Sequence, residues 1–68
     1  MNTGSVKWFN ATKGYGFITN DQGGKDIFIH ISEVEKAGIG RLDEGQKIQF
    51  NIVENKGREA AADIELIN

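Results

Sequence analysis

The chain has 68 residues, with eight Lys and Arg against ten Asp and Glu for a formal net charge of −2. That length allows one domain, residues 1–68, which buries only about 60% of the surface its unfolded form exposes. There is no Cys, which excludes disulfides and thiolate metal sites. There is also no apolar run near the ~20 residues of a membrane span and no signal segment at Met1-Asn2-Thr3-Gly4, so a small, soluble, cytoplasmic protein is expected.

In chain order, short runs rich in β-branched and aromatic residues alternate with Gly-containing turns, the pattern of strands. The first run is Val6-Lys7-Trp8-Phe9, whose apolar residues fall on both parities and so require a bulge or a two-sided strand. The second is Tyr15-Gly16-Phe17-Ile18-Thr19, followed by a turn from Asn20 to Gly24. The third is Asp26-Ile27-Phe28-Ile29-His30-Ile31. Ser32-Glu33-Val34-Glu35 then fits a capping box with Ser32 as N-cap, and Lys36-Ala37-Gly38 supplies a cation and a Gly stop. One helical turn is expected there, as a crossover. A fourth run spans Lys47 to Val53, and after the turn Glu54-Asn55-Lys56-Gly57 a fifth covers roughly Ala61 to Ile67. Five short strands with tight turns predict an all-β, antiparallel sandwich or barrel.

Period-2 alternation assigns the faces. Ile27, Ile29 and Ile31 share one face of the third run, and Phe28 and His30 share the other. The predicted core is Val6, Ile18, Ile27, Ile29, Val34, Ile48, Phe50, Ile52, Ile64 and Leu66. That set fills a small barrel and leaves Trp8, Tyr15, Phe17 and Phe28 outside. Exposed rings in this number mark a binding surface. Lys7 and Lys13 flank them in sequence. Rings to stack on bases, with cations for phosphates, are what a single-stranded nucleic acid requires.

The segment Lys13-Gly14-Tyr15-Gly16-Phe17-Ile18 follows the opening of the RNP1 pattern, and its glycines let a base lie flat against the strand. Asp26-Ile27-Phe28-Ile29-His30 reads as its RNP2-like partner. An RRM would need two full amphipathic helices, and no such helical period exists here. With Gly4-Ser5-Val6-Lys7-Trp8-Phe9-Asn10 and Leu42-Asp43-Glu44-Gly45-Gln46, these motifs span the chain, which resembles the bacterial cold-shock proteins. The resemblance implies a five-stranded OB-type barrel. It also implies binding to single-stranded RNA and DNA with little sequence preference, and a role as an RNA chaperone or a regulator of transcription or translation. On this resemblance Trp8, Tyr15, Phe17, Phe28 and His30 are stacking groups, Lys7 and Lys13 backbone contacts, and Asp26 an acceptor for base edges. Family members often carry aromatics at the positions of Ile31 and Ile39, which implies weaker binding or a shorter footprint for this chain. Arg58-Glu59-Ala60 replaces the family's Gly-Pro-Gln stretch, and Arg58 is a candidate for the basic contact of that loop.

No enzyme is expected. His30 has no second ligand for a metal, Asp43-Glu44 reads as a solvated turn, and neither Ser5 nor Ser32 has an activating context. No cofactor, small-molecule substrate or partner subunit is called for, and a monomer is expected. A peptide-binding barrel and an oligosaccharide-binding barrel are the competing readings, and neither explains the lysines. The acidic balance is uneven: residues 1–30 carry three Lys against Asp21 and Asp26, while residues 31–68 carry five basic and eight acidic residues. Net charge therefore does not exclude nucleic acid, but it leaves most of the affinity to stacking.

Overall fold

A computed structural model, describing residues 2–67, contains five strands and one short helix. These are β1 (Asn2–Asn10), β2 (Tyr15–Asn20), β3 (Ile27–His30), α1 (Ile31–Lys36), β4 (Lys47–Asn55) and β5 (Arg58–Leu66). The strands close into a barrel in the order β1-β2-β3-β5-β4, with β4 returning to β1. The expected all-β, five-stranded, OB-type barrel is therefore present. Four of the five seams are antiparallel. The fifth is parallel, a single bridge between Phe28 of β3 and Ala60 of β5. It is parallel because β4, reached through α1, runs opposite to β1 and β5 runs opposite to β4, which leaves β5 in the direction of β3.

The alternation in the sequence becomes the wall of the barrel. Val6, Ile18, Ile27, Ile29, Val34, Ile48, Phe50 and Ile64 are buried together, as expected, and Leu42 and Ala61 join them. Two members of the predicted core differ. Leu66 is 49% exposed because it ends β5, where only β4 runs beside it. Ile52 is half-buried because the β1 pairing runs out at Asn2–Phe50, two residues short of it. Phe9, on the inward parity of β1, packs against the core instead. The register shift between Val6 and Trp8 leaves Lys7 as the extra residue, which is the bulge that the mixed parity of this run demanded.

Both ends of α1 are tied, although not by the expected residue. The N-cap is His30, not Ser32: His30 stays extended and its ring accepts from the Ser32 backbone N–H. Ser32 thus sits two residues too deep to cap. At the other end Gly38 N donates to Glu35 O and Ile39 N to Val34 O, with Gly38 at φ +76°. This is the Schellman arrangement, and its usual apolar contact is supplied by Ile39 packed on the core. Ile39 therefore serves the helix stop.

One ionic cluster joins three elements at the barrel's lower rim. Asp21, just past β2, accepts from Lys47 Nζ at 3.0 and 2.8 Å and from Thr3 Oγ1 at 3.0 Å. The Lys47 hydrogen bond, with that of Thr3, holds the Asp21 carboxyl below its ordinary pKa. A carboxylate lowered on folding adds stability that is complete above its unfolded pKa, roughly 3.9, and is lost as pH falls through the folded value. Asp21→Asn should accordingly lower the melting temperature at pH 7, by a margin that shrinks as pH falls below the ordinary carboxylate range. Thermal melts of the two proteins across that range check it, and a gap that persists undiminished at pH 2 contradicts it.

Candidate nucleic-acid interface

The outer face of β1, β2 and β3 is built by register. Trp8 stands opposite Phe17, and Phe17 opposite Phe28, so three rings form one rung across three strands. The next rung is Asn10, Tyr15 and His30. Directly opposed residues project to the same side, and the rings accordingly meet. Trp8 lies 5.6 Å from Tyr15 and 5.5 Å from Phe17 between centroids, and Phe28 lies 5.8 Å from both Tyr15 and Phe17. Tyr15 and Phe28 are close to parallel, at 24°, while the other contacts are tilted or edge-on. All four rings are half-buried by one another, and none belongs to the core. Rings braced edge to face in this way keep their outward faces available for stacking.

The glycine between the rings is required by the backbone itself. A Cβ on Gly16 would collide with the Trp8 carbonyl oxygen and lie 2.7 Å from Phe9 Cα. The β1–β2 turn that precedes it is closed by Asn10, whose Oδ1 accepts from Lys13 N at 2.9 Å and whose carbonyl accepts from Gly14 N at 2.8 Å. Gly14 O in turn accepts from Ile31 N at 2.9 Å. That bond ties the hairpin tip to the start of α1 and aligns Tyr15 with His30. Ile31, read from the sequence as facing inward, is half-buried beside Gly14 because the strand has already become helix.

His30 is exposed at the edge of the field, 6.3 Å from Phe28. Its Nδ1 accepts from Ser32 N at 3.1 Å and sits 3.0 Å from Ser32 Oγ. With Nδ1 an acceptor, the neutral ring carries its proton on Nε2. The ring is thus both a cap and a fixed plate.

The charged residues fall around this field. Lys7 Nζ lies 2.9 Å from Asp26 Oδ2, so the two residues expected to serve separately are paired, from β1 to the residue just before β3. Lys13 is exposed in the β1–β2 turn. Arg58 is the first residue of β5 and not a loop residue, because Lys56 and Gly57, both at positive φ, make a two-residue hairpin turn. Its guanidinium carbon lies 4.9 Å above the Phe28 ring, a cation–π contact that brings the expected cation onto the platform. Lys25 was not singled out from sequence, yet it lines a cavity of about 300 Å³ with Phe17, Asp26, Phe28 and Arg58. Its place in the turn just before the third run was the available signal. Among the described residues no group of His, Asp and Glu is gathered for a metal, and no helix is long and apolar enough to cross a membrane.

Known proteins resemble this chain over almost its whole length. The family model described as the 'Cold-shock' DNA-binding domain matches residues 2–67. The cold shock protein CspA of Rhizobium meliloti is 53% identical over 64 residues, covering 93% of each chain. The cold shock-like protein CspA of Shewanella violacea is 48% identical over 66 residues, covering 96% of this chain and 94% of the relative. The cold shock protein CspV of Vibrio cholerae is 45% identical over 62 residues, covering 91% and 89%.

Proposed function

We propose, from the premise that this chain belongs to the cold-shock DNA-binding domain family, that it binds single-stranded RNA and DNA with low sequence specificity by stacking bases on its outer rings. Trp8, Tyr15, Phe17, Phe28 and His30 are the stacking groups. Lys7, Lys13 and Arg58 meet the phosphates, and Asp26 accepts from a base edge when Lys7 turns to the backbone. The protein acts as a monomer in the cytoplasm, a single domain that serves as an RNA chaperone or as a regulator of transcription or translation in the cold-shock response. Family membership also makes it a binding protein and not an enzyme.

The observation that carries this reading is the unbroken rung Trp8–Phe17–Phe28, with Arg58 over its last ring. Every base has a π-face, so such a rung accepts any sequence. A peptide or a sugar would also stack, but neither explains cations set around the rings. Trp8 is the only Trp and stands at one end of the rung, so its fluorescence reports occupancy. Titration with oligothymidine should quench it, and an intact protein that gives no response overturns the reading. Chaperone action is tested separately, as a lowered melting point of a short RNA hairpin in the protein's presence.

The salt dependence has an expected size. Two to four phosphate contacts give a slope of roughly −1.5 to −3 in log K against log salt for a single strand. A slope near −6 would mean that the backbone, and not the rings, carries the affinity.

A further inference from the structure

The rung of opposed outer residues does not end at Phe28. It crosses the parallel bridge to Ala60 and continues to Val53 of β4. Past Phe28 the rings give way to small and aliphatic side chains, and the surface steps down into a groove of about 310 Å³. Ala60 is its floor. Its small side chain is only 7% exposed, yet it lies opposite the exposed Val53 and outside the core cluster that holds Ala61, so its methyl closes the bottom of the groove. Glu33 of α1 stands on one wall, with Asn55 and Lys56 of the β4–β5 turn on the other. Ligand sites run from about 300 to 1,000 Å³, so this one suits a single base and little more.

The walls have the chemistry of a base reader. Lys56 forms no ion pair among the described residues. Glu33 Oε2 lies 3.7 Å from Lys36 Nζ, while Oε1, shielded from solvent, has no hydrogen-bond partner among the described residues. Glu33 is only partly buried, so its carboxylate can turn into the groove it borders, where an oxygen without a donor is matched by an exocyclic amine. Cytosine presents its N4 amine where thymine presents the O4 acceptor, and a carboxylate accepts from the first and repels the second.

We propose that this groove holds one further nucleobase of the bound strand and prefers cytosine to thymine there. The ring rests on Ala60 and Val53, Glu33 accepts from the amine, and Lys56 meets the adjoining phosphate. The proposal rests on the single-strand reading above and adds one position of sequence preference to it.

The test uses heptathymidine and its seven single thymine-to-cytosine variants, each titrated against the full chain by Trp8 fluorescence. One position should bind about fivefold to tenfold more tightly as cytosine, the low end of discrimination by a base-edge contact. Ala60→Leu fills the floor and should flatten that ratio to below twofold. Glu33→Gln, on a helix surface, offers an amide that suits either base and should flatten it equally, so the idea stays exposed even if Ala60→Leu does not fold. Normal binding of heptathymidine with no position preferring cytosine overturns the groove and leaves the aromatic platform standing. So does a preference that survives both substitutions. If heptathymidine fails to bind the folded protein at all, the platform reading falls, and the groove with it.

Discussion

Phe28→Ala should weaken oligothymidine binding by about 10- to 100-fold, the largest loss of any single ring. Stacking of one base on one ring is worth roughly 1–3 kcal/mol by truncation, and Phe28 does more than offer a face. It is the near-parallel partner of Tyr15 at 5.8 Å, an edge-on partner of Phe17 at 5.8 Å, and the ring beneath Arg58 at 4.9 Å. Removing it unbraces two rings and frees the guanidinium at once. The fold should survive, because Phe28 is half-buried and lies outside the core. Leu66→Ala is the matched control: an apolar truncation at a 49% exposed position far along β5, which should leave binding unchanged. Titration of both variants with the same oligonucleotide decides the matter, and a Phe28→Ala protein that binds within twofold of the parent refutes the placement of the platform.

Gly16→Ala should remove most of the stability. The added methyl meets backbone, namely the Trp8 carbonyl and Phe9 Cα at 2.7 Å, with Phe9 Cδ1 at 2.8 Å besides. A flexible side chain can move aside, whereas a paired strand cannot without breaking the β1–β2 ladder between Phe9 and Gly16. Overpacking of this kind costs about 1–3 kcal/mol or more. A domain of this size has only about 3–5 kcal/mol to lose. The melting temperature should therefore fall by about 10–20 °C, at roughly 4–8 °C per kcal/mol. Gly40→Ala makes the contrast sharp, since no atom lies within 4 Å of its added Cβ. That variant should melt within a few degrees of the parent, or slightly higher through reduced freedom of its unfolded chain. If the two variants melt alike, the crowding at Gly16 is not what fixes that residue.

The same glycine illustrates how much of this molecule was legible in its sequence. Alternation in Ile27-Phe28-Ile29-His30 separated an aliphatic inside from an aromatic outside, and the registers put those rings on one face. The mixed parity of Val6-Lys7-Trp8-Phe9 called for a bulge, and Lys7 is that bulge. Local signals failed where tertiary neighbours decide. Ala60 and Ala61 point to opposite sides of the wall, but alanines carry no contrast in hydrophobicity by which to tell them apart. Leu66 and Ile52 have inward parity, yet each lies where a neighbouring strand has ended. Ser32 fitted the capping pattern as well as His30 fitted the platform, and nothing in the string says that a ring nitrogen can do a hydroxyl's work. Pairings across 19 and 30 positions, Lys7 with Asp26 and Arg58 with Phe28, are set by ring closure and leave no trace in composition.

The closure itself is uneven, and that has a consequence for how the molecule breathes. Every seam but one is a ladder of antiparallel pairs, whereas β3 and β5 meet through the single Phe28–Ala60 bridge. A cylinder yields along its weakest stave, so the least costly excursion from the native state is a parting of β3 from β5 while the other joints hold. Backbone amides along that line should exchange with deuterium fastest among the strand amides. A strand of nucleic acid lying over Phe28 and Arg58 grips both sides of the gap, so its arrival should slow exchange there more than in the β1–β2 hairpin. On the proposed function, the surface that takes the ligand is then also the clasp of the barrel, and occupancy and cohesion should rise together.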